Sequence, residues 1–431
     1  MRSLLSLLLL AVFARAQSPE ERTKQALDLV LARKYDAFYA HFSPEMKKAI
    51  SLAEYSSQGD RILEALGKPV KIGTPRSQQM KEATTVTIPL EGSGVALNFI
   101  VSWNASQQIQ GTWFLAPPPA SHSQYEPASY SKPDTFAARD VTVGDDQWKL
   151  PGTLLVPKGK RPFPAVVLVH GSGPHDRDET LGGAKVFRDL AEGLATRGIA
   201  VLRYDKRNYV HRQECISDKN FTMTRETVDD AVRAAALLRA LPEVDAKRIF
   251  VLGHSQGGYM MPRIMQADPK LAGVVLMAAN VRPVEQLIVE QTEYLFRLNG
   301  GGLNSTQQAQ LDALKKDPWQ MIPGIPESYR TDLKGYDPVN LAKSSRIPML
   351  ILQGERDYQV TMKDFDLWRT GLSRRANVTV HSFPKLNHLF IAGEGKSTPR
   401  EYERPAHVSA EVIDTITDWI LRQAPANGGR P

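Results

Sequence analysis

Three residues with the chemistry of a nucleophile, an acid and a base each follow a short apolar segment of this chain. Ser255 lies in GHSQGG after RIFVL, Asp357 in GERDYQV after IPMLILQ, and His388 in KLNHLF after NVTVHSFP. An imidazole can take a proton from a serine hydroxyl and return it to a leaving group. A carboxylate can orient that imidazole and stabilise its charge. The three residues therefore predict nucleophilic catalysis on an acyl carbonyl.

The segment around Ser255 has the form Gly-x-Ser-x-Gly. A strand that runs into this motif can turn sharply into a helix and expose the serine oxygen at the tip of the turn. Glycine at positions 253 and 257 avoids the crowding that side chains would cause where the strand and the helix cross. The motif also occurs by chance in Gly-rich connectors, so the prediction depends on the acid and the base as well.

Two backbone N–H groups are candidates for an oxyanion hole. The apolar segment PAVVLVHG ends in HGSGPHDRDE, a Gly-rich turn whose N–H groups, above all that of Ser172, could bind a developing oxyanion. The N–H of Gln256 would begin the helix after Ser255 and add a second donor, supported by the helix dipole. The alternative for Ser172 is a plain tight turn.

Other titratable residues near these segments have weaker claims on the chemistry. Glu355 competes with Asp357, but the later position suits the tip of a strand better, and His381 lies within a strand-like segment. Two further groups match no familiar metal-ligand spacing, namely His175, Asp176 and Asp178, and the loop group His211, Glu214 and Cys215. We therefore expect no metal site.

The elements that must position these residues are short segments rich in Val, Ile and Leu, separated mostly by helical patterns. Continuous apolar strands that alternate with helices are typical of a parallel sheet covered on both faces. Ligands of such sheets bind at the carboxyl ends of the strands. The candidate residues all lie at those ends, which predicts one site.

A mostly helical pattern at about 281–345 interrupts this alternation. We interpret it as a cap inserted between two strands, which would cover an acyl or alcohol pocket. Tyr294, Phe296 and Trp319 are candidate walls of that pocket. The alternative for these aromatic residues is packing within the cap itself.

The first residues, MRSLLSLLLLAVFARAQ, have the form of a secretory signal. Arg2 supplies the positive start, a short apolar segment follows, and A-x-A predicts cleavage after Ala16. The mature protein would then be secreted or periplasmic, with an uncleaved membrane tether as the alternative. No later segment is long and apolar enough for a transmembrane helix.

Three further regions follow the predicted signal. Residues 17–116 show helical spacing and then strand-like alternation, which predicts a small α+β module. The Pro- and Ser-rich residues 117–135 suggest a linker. The catalytic domain would occupy 136–425.

Composition excludes some partners. The formal charge is +7, or +5 after cleavage, with Lys and Arg scattered among acidic residues, so a nucleic-acid partner is not supported. Cys215 is the single cysteine, which excludes an internal disulfide. A homo-oligomer stays open.

Residues 136–425 resemble the α/β-hydrolase superfamily, whose arrangement includes G-x-S-x-G and the order Ser, Asp, His. The segments VHGSGPHDRDET, VLRYDKR, GHSQGG, GERD and LNHLF are similar to exported bacterial serine esterases of the dienelactone-hydrolase-like and prolyl-oligopeptidase-like branch. The resemblance implies an α/β-hydrolase fold, with a mostly parallel sheet, helices on both faces and a helical cap. One departure is RYDKRNYVHRQEC, where such enzymes often continue with Gly-x-Gly, which puts the pocket shape near this loop in question.

The resemblance also implies an activity, hydrolysis of a carboxylic ester of a small molecule through an acyl-enzyme. Ser255 would be the nucleophile, Asp357 and His388 its partners, and the backbone at Ser172 and Gln256 the oxyanion hole. No metal or organic cofactor is implied.

Three alternative functions stay open. A peptidase could use the same triad, although the small N-terminal module is unlike the large propeller of the prolyl-oligopeptidase branch. An acyltransferase would differ only in the acceptor of the acyl group. A non-catalytic binding protein is disfavoured by the intact Ser, Asp and His. The N-terminal module resembles a nuclear-transport-factor-like cone and could bind substrate, shape the cleft or mediate dimers.

Overall fold

The computed structural model describes residues 17–80, 83–93, 95–115, 125–144, 147–298, 302–321 and 325–423. The chain divides into two units, Met1–Ala120 and Ser121–Pro431. The predicted export signal lies outside the described residues. Among the residues that are described, no helix is long and apolar enough to cross a membrane.

The first unit has its helices first and an antiparallel sheet after them, as predicted. Serine caps begin three of the helices, because Ser18, Ser43 and Ser51 each accept a hydrogen bond from the N–H three residues further on. The helices are α1 (Pro19–Leu31), α2 (Tyr35–Ala40), α3 (Pro44–Ala49) and α4 (Leu52–Leu66). The strands are β1 (Lys71–Ile72), β2 (Arg76–Met80), β3 (Ala83–Glu91), β4 (Ala96–Asn104) and β5 (Ile109–Leu115). They pair in the order β1-β3-β4-β5, with β2 also on β3.

The second unit is built on an eight-stranded sheet. Its strands are β6 (Phe136–Val143), β7 (Leu150–Pro157), β8 (Phe163–Val169), β11 (Ala200–Tyr204), β12 (Val244–His254), β13 (Gly273–Met277), β14 (Met349–Gly354) and β15 (Val378–Phe383), and β9 (Thr180–Leu181) pairs separately with β10 (Ala184–Lys185). The order across the sheet is β15-β14-β13-β12-β8-β11-β7-β6. The hairpin β6–β7 and the β7–β11 pair are antiparallel, and the remaining pairs are parallel. The predicted, mostly parallel sheet is therefore confirmed.

Apolar clusters cover both faces of this sheet. In β8, Ala165, Val167 and Val169 belong to one cluster, whereas Val166 and Leu168 belong to the other. Alternate residues of a strand point to opposite faces, so a strand buried on both faces has an unbroken apolar sequence. The covering helices are α5 (Val186–Thr196) and α16 (Ala410–Arg422) on one face, and α8 (Asp229–Arg239), α10 (Met261–Ala267) and α15 (Met362–Gly371) on the other.

Helices fill the predicted insertion between β13 and β14. They are α11 (Val284–Arg297), α12 (Ser305–Lys316), α13 (Glu327–Leu333) and α14 (Pro338–Lys343). The unit also contains the short helices α6 (Arg207–Val210), α7 (Arg212–Ser217) and α9 (Gln256–Tyr259) and a π-helical turn at Thr224–Val228. Short 3₁₀-helical segments lie at Pro133–Thr135, Pro318–Met321 and Pro399–Tyr402.

The segment predicted as a linker is described from residue 125 onward, and that part belongs to the second unit, where its side chains are packed. The Tyr125 hydroxyl donates to Asp189, 2.8 Å away, and the Tyr130 hydroxyl donates to the carbonyl of Val408, also at 2.8 Å. The described part of the segment is therefore held by its aromatic residues.

Candidate active site

Ser255 lies at the turn between β12 and α9. Its backbone has φ 50° and ψ −113°, in a region that non-glycine residues rarely adopt. Glycine is required on both sides of the turn, since a Cβ on Gly257 would clash with the carbonyl of Val169, and a Cβ on Gly253 with the backbone of Gly257. This close approach of strand and helix has the geometry of a nucleophile elbow.

Asp357 and His388, from the loops after β14 and β15, lie in direct contact. Asp357 Oδ2 is 2.6 Å from His388 Nδ1, and both residues are buried. Asp357 Oδ1 accepts the backbone N–H groups of Gln359 and Val360, at 2.7 and 2.9 Å. The carboxylate is therefore fixed with one oxygen facing the imidazole. A proton on Nδ1 leaves Nε2 as the basic nitrogen of the ring.

The elbow and the histidine loop are neighbours. His254, the residue before Ser255, has its Nε2 3.0 Å from the carbonyl oxygen of His388. The ring centroids of His254 and His388 are 4.8 Å apart. The turn that carries the serine therefore lies against the loop that carries the histidine.

The competing residues have other partners. Glu355 is exposed and accepts from the Ser382 hydroxyl at 2.8 Å, while His381 is exposed on β15 with its ring against Phe383. The two groups that we considered as metal ligands are also engaged with protein partners. His175 contacts the Ser172 carbonyl, and Asp176 accepts from Thr180. Asp178 pairs with Lys185, and His211 contacts the Lys149 carbonyl. Within the described parts of the chain, no group of three or more His, Cys, Asp or Glu could hold a metal ion.

The turn that carries Ser172 is fixed by two buried charged side chains. Glu179 Oε1 accepts the N–H of Gly171 at 2.7 Å, and Lys206 Nζ donates to the carbonyls of Gly171 and Gly173, at 2.7 and 3.1 Å. Lys206 thus binds the backbone on both sides of Ser172.

A cavity of about 570 Å³ lies beside these residues, and Ser172, Ser255 and Gln256 all line it. Its remaining walls are mostly apolar. They include Ile216, Phe221, Met223, Val284, Leu287, Ile288, Leu295, Trp319, Ile325 and Tyr329. The structure therefore brings the candidate nucleophile and both candidate oxyanion residues to one pocket.

One of the three aromatic cap residues expected to line this pocket does so. Trp319 lines the cavity as predicted, but Tyr294 and Phe296 do not. Tyr294 instead stacks on Tyr358, with ring centroids 4.9 Å apart, and its hydroxyl donates to the carbonyl of Ser397. Both residues that do not line the pocket lie on α11, whose rotation about its axis the sequence pattern does not specify.

One wall of the cavity is polar, and the sequence analysis missed it. Glu226, on the π-helical turn, is buried and accepts from Gln256 Nε2 at 2.8 Å and from the Tyr329 hydroxyl at 3.0 Å. Lys206 Nζ lies 3.4 Å away, so the buried carboxylate has a cation beside it. Lys206 follows β11 by two residues, and its place near a strand end was the only sequence signal for this group.

The mixed sheet, the serine elbow and the Asp–His contact at neighbouring strand ends define the α/β-hydrolase class. A family model described as serine aminopeptidase, S33, matches residues 160–394, a range that includes all three candidate residues. Esterase EstD of Thermotoga maritima is 41% identical over 332 residues, which cover 76% of this chain and 77% of that protein. The chain belongs to the S33 serine aminopeptidase family of α/β hydrolases, and it is a carboxylic ester hydrolase.

Two more distant similarities accompany these. Uncharacterized peptidase YuxL of Bacillus subtilis is 23% identical over 234 residues, covering 54% of this chain and 32% of its own. Among solved structures, Est1E from Butyrivibrio proteoclasticus is 14% identical with a TM-score of 0.41, covering 66% of this chain and 98% of that one.

Proposed function

We propose that the protein hydrolyses esters through an acyl-enzyme on Ser255, with His388 as the general base and Asp357 as its orienting acid. The observation that carries the proposal is the 2.6 Å contact between Asp357 and His388 Nδ1, beside the serine elbow. That contact leaves His388 Nε2 free to accept the serine proton. If the contact between Asp357 and His388 only stabilised the fold, it would not require the strained backbone of Ser255 beside it.

In the first half of the reaction, Ser255 Oγ attacks the ester carbonyl carbon as its proton passes to His388 Nε2. The carbonyl electron pair moves to oxygen, and the backbone N–H groups of Ser172 and Gln256 bind the resulting oxyanion. The Asp357 carboxylate stabilises the imidazolium. The tetrahedral intermediate then expels the alkoxide, which takes the proton from His388.

In the second half, water replaces the alcohol. His388 takes a proton from the water as its oxygen attacks the acyl-enzyme carbonyl, and a second oxyanion forms at the same two N–H groups. Collapse breaks the bond to Ser255 Oγ, which recovers its proton from His388. The acid leaves, and the enzyme returns to its starting state without any other reactant.

The substrate we propose is an ester with an apolar acyl or alcohol group. The apolar lining residues Leu287, Trp319 and Phe221 favour the burial of such a group, and about 570 Å³ is ample for a small molecule. A peptidase is the second candidate, because the matching family model carries that description. The same triad would then protonate an amine rather than an alkoxide.

We also propose that the protein is exported and cleaved after Ala16, since the N-terminal sequence has the order of a secretory signal. N-terminal sequencing of the protein from the secreted or periplasmic fraction tests this. A chain that retains Met1 in that fraction would refute cleavage, and a chain found only in the cytoplasm would refute export.

The activity is tested by initial rates on p-nitrophenyl esters from acetate to palmitate, with a peptide p-nitroanilide in parallel. We compare the wild type with Ser255→Ala and with Ser382→Ala, a matched serine that contacts Glu355 instead. Loss of ester turnover by about 10³-fold or more in Ser255→Ala alone is expected. Unchanged turnover in Ser255→Ala would refute the mechanism, and faster cleavage of the anilide than of any ester would favour the peptidase.

A further inference from the structure

A second carboxylate–imidazole pair adjoins the proposed triad, since His254 precedes Ser255 and contacts the carbonyl of His388. Glu179 Oε2 is 3.1 Å from His254 Nδ1, and the two side chains are 0% and 2% exposed. Buried charged groups need a partner, because water is not available to solvate them. Nothing in the proposed reaction uses either side chain, so the pair needs another explanation.

The pair connects three segments of the site. Glu179 Oε1 accepts the N–H of Gly171, in the turn that carries Ser172, at 2.7 Å. His254 precedes Ser255 and has its Nε2 3.0 Å from the carbonyl oxygen of His388. The oxyanion turn, the elbow and the histidine loop therefore meet at these two side chains.

The space between the segments is fully used. A Cβ on Gly171 would lie 3.3 Å from both Glu179 Oε1 and Ser255 Cβ, so even a methyl group has little room there. Glu179 itself has φ 47°, a backbone region that is strained for a glutamate. Strained residues persist where the surrounding structure fixes them, and they are concentrated at functional sites.

The atoms that face the two ring nitrogens of His254 indicate how many protons the ring carries. Both atoms that face its ring nitrogens, a carboxylate oxygen of Glu179 and the carbonyl oxygen of His388, are acceptors. A neutral imidazole has one N–H group and can satisfy only one of them. The contact at Nδ1 is an ion pair that lacks the angle of a hydrogen bond, whereas the contact at Nε2 is a hydrogen bond. Beside an ionised Glu179, a proton on both ring nitrogens avoids a lone pair facing an acceptor oxygen, and His254 is then an imidazolium.

The charges around the pair agree with this assignment. Burial lowers the pKa of His254, but the Glu179 carboxylate, the carbonyl of His388 and Asp357 together outweigh burial and raise that pKa above its ordinary value. Burial raises the pKa of Glu179, but His254, together with His175 and His170, outweighs burial and holds that pKa at about 2. The other titratable groups that face the pair are Asp357, His388, His170 and His175, with Lys206 beyond them.

We propose that Glu179 and His254 are positioning residues that align the oxyanion turn, the elbow and the His388 loop only while His254 is doubly protonated. Loss of a proton leaves a lone pair facing an acceptor oxygen, and that repulsion displaces either Glu179 or the backbone of His388. The esterase therefore loses activity at alkaline pH through His254, separately from the gain of activity as His388 is deprotonated. This inference rests on the proposed function of Ser255 and His388.

Glu179→Gln is the sharpest test, because it changes the proton count without changing the shape. The N–H of Gly171 needs an acceptor, which holds the amide oxygen of Gln at the position of Oε1 and directs its NH2 group toward His254 Nδ1. A neutral His254 then accepts at Nδ1 and donates from Nε2 to His388, so every contact is kept with one proton fewer. We expect near wild-type kcat at neutral pH and loss of the alkaline decline in kcat/KM.

Glu179→Ala removes the contacts altogether and is expected to lower kcat about 10²-fold at every pH, with little change in KM. The control is His407→Asn, which removes the imidazole from a similar pair in which Asp189 Oδ1 is 3.0 Å from His407 Nδ1, outside the site. It should keep the wild-type pH profile. An alkaline decline in Glu179→Gln identical to that of the wild type, or full activity in Glu179→Ala, would overturn the proposal.

Two further measurements separate this proposal from the proposed function. Turnover that survives Ser255→Ala would refute the triad, whereas an inactive Ser255→Ala with an unchanged profile in Glu179→Gln would refute the pair alone. The proton count is also measured without turnover, by ¹⁵N NMR of the histidine rings. We expect two protonated nitrogens on His254 in the wild type and one in Glu179→Gln, and a single protonated nitrogen in the wild type would overturn the assignment.

Discussion

Asp357→Asn should abolish the activity while leaving the size of the side chain unchanged. The two backbone N–H groups of Gln359 and Val360 need an acceptor, so the amide oxygen of the asparagine must take the position of Oδ1. Its NH2 group then occupies the position of Oδ2, where it faces the donor nitrogen His388 Nδ1 and the amide of Gln353. The imidazole can avoid this clash only by moving its proton to Nε2.

That change of tautomer leaves His388 unable to accept a proton from Ser255. The loss in kcat expected from a wrong tautomer in a serine triad is about 10⁴-fold. Stability should fall as well, since a buried donor without an acceptor costs about 1–3 kcal/mol, and Gln353 Nε2 would face another donor. Steady-state hydrolysis of a p-nitrophenyl ester gives the first quantity, and urea unfolding gives the second.

Glu355→Gln is the matched control, because it makes the same chemical change two residues earlier on an exposed side chain that contacts Ser382. It should keep wild-type kcat within about twofold, as surface changes usually do. A loss of less than tenfold in a folded Asp357→Asn, or an equal loss in Glu355→Gln, would refute the assignment of Asp357.

Three further predictions follow from the pocket and its supports. Lys206→Met removes the donor to the carbonyls of Gly171 and Gly173 and leaves the buried Glu226 without its cation. In ester kinetics we expect kcat to fall about 10²-fold with little change in KM. In a urea titration we expect the free energy of unfolding to fall by about 3–5 kcal/mol. Leu287→Trp narrows the cavity from α11, so the optimum of the ester series should move to shorter chains, with a loss of about tenfold or more for the longest ester; an unchanged optimum would exclude this wall from the substrate pocket. Burial raises the pKa of the Cys215 thiol to about 12, so a thiol reagent should modify the unfolded protein and leave the native protein unreacted at neutral pH; fast native labelling would contradict the burial of this side chain.

The sequence predicted the frame of the site because buried parallel strands have an unmistakable composition. β8, β13 and β14 are buried at every residue and are apolar almost throughout, and a polar residue just after such a strand lies at the carboxyl edge of the sheet. That position predicted Asp357 and His388 together, and the two side chains are in contact although 31 residues separate them in the chain. The glycines around Ser255 had a steric reason that could be anticipated from the turn.

The supporting charges could not be predicted in the same way. Glu179, Lys206 and Glu226 lie in polar segments where most charged residues are solvated, and no spacing distinguishes a buried carboxylate from an exposed one. Their partners are separated from them by 8, 35 and 30 residues, so the pairing depends on how loops pack over the sheet. His254 is part of the Gly-x-Ser-x-Gly motif, but its proposed role depends on the carboxylate of Glu179, which lies close only in the folded chain.

The central claim is that an acyl group is transferred to Ser255, and mass spectrometry of the acid-quenched enzyme tests it most directly. The enzyme is mixed briefly with a p-nitrophenyl ester, quenched and digested with trypsin, which releases Ser255 within residues 249–263. We predict that this peptide gains the mass of the acyl group in the wild type, that the modification maps to Ser255, and that it is absent in Ser255→Ala. Two results would contradict the mechanism. One is a burst of p-nitrophenol from wild-type enzyme that gains no acyl mass, and the other is acylation of a different residue in step with turnover.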